Sequence, residues 1–205
     1  MAQAELVPLP LGTVLQEVHR PIEFAYFPET GLASIVAVME DGSMVEGASV
    51  GVDGFVGSTL VLGTESSLSR VIWQVPGDAY RIPAAPFQRL CADGRFGTLL
   101  TSHVQHVLDQ TTQVAGCNRR HTIIARAARW LLTTHDRTEG DTFILTQEFL
   151  ATMLGVNRPK VTLAAQRLQA AGHISYRRGR ITILDRTGLE SASCECYRLL
   201  GTAPD

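Results

Sequence analysis

Residues 146–174 read TQEFLATMLGVNRPKVTLAAQRLQAAGHI, and this stretch decides the fold. Thr146 is a hydroxyl residue placed to cap a helix, with Glu148 in the first turn, where the helix dipole favours a negative charge. Counted from Gln147 as the first position, apolar residues fall fourth (Leu150), eighth (Leu154), tenth (Val156), fifteenth (Val161) and eighteenth (Ala164). Ala151, in fifth place, is small enough for a second helix to cross closely. Gly155, in ninth place, sits where the turn between two helices needs a positive φ that glycine adopts at little cost. Asn157 caps the next helix, and Pro159 lies in its first turn, where a missing N–H costs nothing. The spacing predicts a helix-turn-helix.

The second helix has two faces. Val161, Ala164, Ala165 and Leu168 share one side by the i, i+3, i+4, i+7 rule and point to a core. Arg158, Lys160, Thr162, Gln166 and Arg167 remain on or beside the outer side. Such a helix fits the DNA major groove, where arginine binds guanine and glutamine binds adenine. A small helical subdomain with a solvated face is the plainer reading, and the alanine–glycine turn at this spacing argues against it. Residues 174–177 (ISYR) and 180–184 (RITIL) then read as two strands joined by Arg178-Gly179, a β-hairpin placed as a wing. Arg177, Arg178 and Arg180 at its tip suit phosphate contacts, which supply affinity and register. Thr146 and Gln147, with Asn157, Arg158, Lys160, Thr162, Gln166, Arg177, Arg178 and Arg180, form the candidate DNA-binding set.

The 205 residues suffice for one or two domains with real cores, and 45% hydrophobic content with 19% charge is ordinary for a globular protein. No run of about 18 apolar residues marks a membrane span. The first residues, MAQAELVPLPLG, lack the basic and apolar regions of a secretory signal. Cys91, Cys117, Cys194 and Cys196 are too few and scattered for a disulfide framework, so a reducing cytoplasm is expected. The net charge of −2 conceals an asymmetry: residues 1–95 carry a net −6 and residues 157–205 a net +4. The basic charge lies where the helix-turn-helix lies, and local potential matters more than the total.

Up to about residue 86 the texture is β. Residues 23–27, 32–39, 44–50, 55–62, 70–75 and 79–82 are short runs rich in β-formers, broken by turn signals. Many short strands predict a sandwich or barrel. Gly51, Gly54 and Gly57 lack the spacing and following helix of a phosphate cradle and read as tight turns. The sequence PFQRLCAD predicts a short helix closed by Gly94. A longer helix follows over residues 95–117, where Leu100, Val104, Val107, Thr111 and Val114 fall at spacings of 4, 3, 4 and 3. This seam suits either a core stripe or a dimer contact, and a dimer suits a reader of two half-sites. Residues 116–118 read as a hinge, and residues 121–135 as another amphipathic helix.

This order resembles the Crp/Fnr family of bacterial transcription regulators over nearly the whole chain. The likeness is strongest in LTQEFLATMLGVNRPKVTLAAQRLQAAGHISYRRGRITILD and extends to AYFPETGLASIVAVMEDG and GVDGFVG. The resemblance implies an α+β chain: a cyclic-nucleotide-binding-like antiparallel β-roll sensor (1–94), a dimerisation helix (95–117), a winged helix-turn-helix (118–186) and a tail (187–205). It implies a homodimer on a palindromic operator in double-stranded DNA, RNA polymerase as a protein partner, and no catalysis.

Three departures shape the expectations. Relatives that bind cyclic nucleotides carry a glutamate in the segment matching residues 51–57, and an Arg-Ser or Arg-Thr pair before the next strand. Here the glutamate is absent, Ser67-Leu68 stand where the pair belongs, and Arg70 falls inside the following strand. A phosphate diester needs a cation or several donors, so no cyclic nucleotide is expected. The positions where relatives place a base-reading glutamate and arginine are Pro159 and Leu163, so the usual operator does not carry over. The chain also opens almost on a strand where relatives have a helix, which points to a shortened sensor or a mis-assigned start.

Other residues carry candidate chemistry. No cysteine precedes Cys91, so the family's N-terminal iron–sulfur cluster is not expected. Cys194-Glu195-Cys196 is a Cys-x-Cys pair with no second pair nearby in sequence, so no metal site is expected. Cys117, in the expected hinge, reads as a packed small residue, with oxidation there as the alternative. His103 and His106 lack a third ligand and read as a polar helix face, and Trp73 reads as core or cavity lining. The competing function is a small-molecule-binding or protein-interaction module that docks through the winged helix. For an enzyme, no activated nucleophile or paired carboxylate motif stands out.

Overall fold

The computed structural model describes residues 4–92 and 94–201. The chain forms two compact units, one of residues up to 38 with 47–111, the other of residues 39–46 with 112–201. Asp93, expected to end the short helix, lies outside the described residues, as do the first three residues and the last four of the expected tail.

Alternating apolar residues build the first unit. Its strands are β1 (Glu5–Leu9), β2 (Val14–Gln16), β3 (Phe24–Pro28), β4 (Leu32–Val38), β5 (Met44–Val50), then, after a one-turn helix α1 (Ser58–Val61), β6 (Ser69–Val75) and β7 (Gly77–Pro83). Helices α2 (Ala84–Cys91) and α3 (Gly94–Arg120) follow. The strands make two sheets, ordered β1-β7-β3 and β2-β6-β4-β5. β7 runs antiparallel to both neighbours, with Leu6 opposite Tyr80 and Phe27 opposite Tyr80 on the other side.

One core cluster joins Leu9, Tyr26 and Ala79 of the first sheet to Ala33, Val50, Val71 and Trp73 of the second. Trp73 is fully buried there, which settles it as a core residue. A second cluster packs Phe55, Leu60, Phe87, Leu100 and Val104 together, with the rings of Phe27, Phe55 and Phe87 5.5–6.0 Å apart. At Gly31 (φ 81) a Cβ would lie 2.5 Å from the Val75 carbonyl oxygen, so the β3–β4 turn requires glycine.

The structure corrects several expectations in this unit. Residues 55–62 are not a strand: Val56 makes an isolated bridge to Tyr26, and α1 follows Gly57, whose φ is 113. The chain opens on a strand, as expected, but β1 and β2 precede the first bounded run at residues 23–27, because Pro8, Pro10 and Gly12 mask their alternation. His103 is not part of a polar face. It is half-buried, its ring 4.7 Å from that of Phe55, and its Nε2 lies 3.0 Å from the Phe55 carbonyl oxygen. Burial lowers its pKa below the ordinary histidine value.

α3 runs without a hinge at residues 116–118 and ends at Arg120, the next helix being capped by Thr122. Gly116 is tolerated because the helix is continuous on both sides of it. Leu100 and Val104, read as part of a seam, are buried in the first unit's own core, whereas Leu99 and Leu108 are exposed.

The second unit is built on α4 (Ile123–His135), β8 (Thr142–Ile144), α5 (Gln147–Leu154), α6 (Arg158–Ala170), β9 (Ile174–Arg177), β10 (Arg180–Ile183), α7 (Arg186–Ala192) and α8 (Cys196–Leu199). β10 lies between β8 and β9 in a three-stranded antiparallel sheet. Leu131, Leu150, Met153, Val161, Leu168, Ile174, Ile181 and Leu189 are buried, and Trp130 meets Phe149 edge-on at 6.5 Å. The residues after 186 fold back rather than trail away. Arg186 bonds Asp136 (2.6 Å), Glu190 (3.0 Å) and the Tyr197 hydroxyl (2.6 Å), and that hydroxyl donates to Asp136 (2.9 Å).

Candidate nucleic-acid interface

The helix-turn-helix forms where its spacing predicts. Thr146 caps α5, its hydroxyl accepting from the Phe149 amide at 3.0 Å. Gly155 ends α5 with φ 60, the left-handed conformation that the turn needs. Asn157 caps α6 by accepting from the Lys160 amide at 3.3 Å, and Pro159 sits in the first turn. Val161, Ala164, Ala165 and Leu168 are buried, so α6 packs through the expected side.

That packing leaves Arg158, Lys160, Leu163, Gln166 and Arg167 exposed. Thr162 and Gln147 are half-buried and engage each other: the Thr162 hydroxyl donates to Gln147 Oε1 at 2.7 Å. This bond, from α6 to the first residue of α5, fixes the angle at which the two helices present their N-terminal ends.

The wing is β9 and β10, joined by the two-residue turn Arg178-Gly179. Arg178 as well as Gly179 has a positive φ, 50 and 75, the pairing of a two-residue primed turn. Arg177 stands opposite Arg180 in the register, and both are exposed. Like charges facing each other across a ladder are destabilising. Among the described residues, no ion pair involves Arg158, Lys160, Arg177, Arg178 or Arg180.

Two residues outside the candidate set shape the site. Gln169 Oε1 accepts from the Tyr176 amide at 2.8 Å and so joins α6 to the wing. Burial raises the Tyr176 phenol above its ordinary pKa, opposed by the Gln147 backbone and the Arg158 charge. Tyr176 therefore lies within the field of both predicted helix ends. Neither role follows from periodicity, because each depends on how the wing packs.

The β-roll unit holds a cavity of about 350 Å³, with Ile35, Val56, Ser67, Leu68, Val71 and Val104 on its wall. Among the described residues that line it, none is charged. Arg70 is not in the lining; it pairs with Glu17 at 2.9 Å. The Ser58 and Thr59 hydroxyls, also in the wall, are buried without hydrogen-bond partners.

The second unit also brings together four residues that lie far apart in sequence: Cys117, His121, Cys194 and Cys196. Cys117 was expected in a hinge and the Cys-x-Cys pair without a partner. The fold supplies the partner by returning α7 and α8 to the end of α3. Among the described residues, no helix is long and apolar enough to cross a membrane.

Comparison with known proteins follows this geometry. Residues 125–192 match the Crp-like helix-turn-helix domain. A Crp/Fnr-family transcriptional regulator from Thermus thermophilus superposes with a TM-score of 0.73 at 23% identity, covering 92% of this chain and 98% of that one. FixK2 from Bradyrhizobium japonicum gives 0.75 at 15% identity, covering 94% and 98%. A Crp/Fnr-family protein from Eubacterium rectale gives 0.75 at 16%, covering 92% and 89%. No curated protein matches the sequence. The chain thus has the fold of Crp/Fnr regulators and carries, at residues 125–192, their Crp-like helix-turn-helix domain.

Proposed function

We propose that this protein is a DNA-binding transcription regulator that acts as a homodimer on a palindromic operator, without catalysis. The observation that carries this reading is the outward side of α6, where Arg158, Lys160 and Gln166 are exposed and, among the described residues, no ion pair engages the two cations. Arg158 and Gln166 read base edges, and Lys160 and the wing arginines hold phosphates. Thr146 and Asn157 serve first as caps, and Gln147 and Thr162 first hold each other, so their part is to set helix angle and backbone contact. One such helix reads a half-site, and two related by a two-fold axis read a palindrome with centres about 10 bp apart.

The β-roll sets the affinity through an effector that binds one arrangement better than the other. Its cavity suits an uncharged, mostly apolar molecule, with Ser58 and Thr59 as hydrogen-bonding partners. A cyclic nucleotide would bury a phosphodiester against a wall without a cation. RNA polymerase is the partner through which bound protein alters transcription. Docking on another protein through α6 would instead need an apolar anchor group, and Leu163 and Pro159 stand among charges.

The test is binding of the purified full chain to DNA from upstream of its own coding sequence, against random DNA, over a range of salt. Selective binding with a two-fold footprint, unmoved by cyclic AMP, is the expected result. Equal affinity for both DNAs at every salt concentration overturns the reading.

A further inference from the structure

We propose that Cys117, His121, Cys194 and Cys196 bind a single tetrahedral zinc ion. Their four donor atoms lie within 4.8 Å of one another. Cys117 Sγ is 3.6 Å from Cys194 Sγ, and Cys196 Sγ is 3.6 Å from His121 Nδ1. Zinc–ligand bonds of ordinary length give a tetrahedron with S···S edges of about 3.8 Å and S···N edges of about 3.6 Å. The side chains therefore need only small rotations to close on one ion. A [4Fe–4S] cluster, which binds each cysteine through a different iron, spreads its sulfurs further than this.

The surroundings suit a metal as well as the donors do. His121 offers Nδ1 inward while its Nε2 lies 3.1 Å from Glu195 Oε1, the carboxylate–histidine arrangement that fixes the tautomer and orients a ligating ring. The Gln113 amide donates to Cys196 Sγ at 3.1 Å, a bond that a thiolate strengthens. Three thiolates, a neutral imidazole and Zn²⁺ leave one negative charge. Arg126 and Arg129 on α4 are buried, and among the described residues the Nε of each has no hydrogen-bond partner; the charge of Arg126 acts on Cys117 and Cys194, and that of Arg129 on Cys117. The cysteines are themselves buried, which is the closed environment of a structural zinc rather than a reactive site.

The role follows from the connections. Cys117 sits in the last turn of α3 and His121 just beyond its end, while Cys194 precedes α8 and Cys196 opens it, some 77 residues on. The ion pins the C-terminal segment to the helix that leads into the DNA-binding domain. Cysteine spacing alone conceals this site, because two ligands come from each end of the unit.

The test uses the full chain expressed with zinc and purified without chelator. Elemental analysis should find one zinc per chain, and X-ray absorption should show three sulfurs and one nitrogen. Cobalt in its place should give the visible bands of a tetrahedral thiolate site. Cys117→Ser with Cys196→Ser should abolish uptake. Glu195→Gln, which leaves all four ligands and the core intact, should weaken zinc affinity about 10–100-fold in competition with a chromophoric chelator. A folded chain that takes up neither zinc nor cobalt overturns the proposal. So does an iron–sulfur spectrum, a Cys117–Cys194 disulfide in the purified protein, or unchanged zinc affinity in Glu195→Gln.

Discussion

The outer side of α6 and the cavity of the β-roll differ most in charge. α6 turns Arg158, Lys160 and Arg167 to solvent, beside a wing that carries three more arginines. Among the described residues of the cavity wall none is charged, and Arg70, in the strand beside it, is paired with Glu17. A surface that keeps cations free suits a polyanion, because each phosphate contact releases a counterion. A wall of apolar groups, hydroxyls and the Gln16 amide, without a cation, penalises any anion that enters it. The proposed function thus places phosphate at the first site and not at the second.

The comparison breaks most severely if either core is misplaced. Trp73→Ala removes the largest fully buried side chain of the β-roll and should cost about 3–5 kcal/mol, read as a lower denaturant midpoint. A loss below about 1 kcal/mol would mean that the roll does not pack around Trp73. Next in size is the wing. Arg177→Ala with Arg180→Ala should weaken binding to every DNA sequence and make the salt slope shallower by roughly 2. The free protein should become slightly more stable, since two facing like charges are gone. An unchanged slope rejects the phosphate role.

Asn157→Ala removes the α6 cap and should cost about 0.5–2 kcal/mol of stability, with DNA affinity falling in step. If stability holds while affinity drops, Asn157 touches DNA directly. The smallest effect concerns His103, whose pKa is lowered by burial. The unfolded chain therefore binds the proton more readily than the folded one. The stability of the neutral ring is fully present above its unfolded pKa of about 6.5, and is lost as pH falls from there through the folded value. Denaturant midpoints should decline as pH falls below about 6.5, and His103→Gln should flatten that decline. A decline of equal size in the variant assigns the acid sensitivity elsewhere.

Legibility followed the same division. In the second unit, caps, turn and packed side follow one another within thirty residues, so Thr146, Gly155, Asn157 and Leu168 could be placed from spacing. The pairing of Thr162 with Gln147 could not, because it depends on the crossing of two helices. In the β-roll, proline and glycine hide the bounds of β1 and β2, and a one-turn helix reads as a strand because Leu60 and Val61 are as apolar as a strand residue. The α3 stripe is legible in the sequence, yet which partner covers Leu100 and Val104 is a tertiary fact: the roll covers them. Cys117 and the Cys-x-Cys pair stood 77 residues apart, and only the fold makes them neighbours.

The central claim is that α6 reads sequence through its exposed basic side. The most direct test is Arg158→Ala, measured on the selected operator and on random DNA at one salt concentration. The account predicts a loss of about 1–3 kcal/mol on the operator and a much smaller loss on random DNA. Equal losses on both would contradict it, and would leave Arg158 as a phosphate contact only.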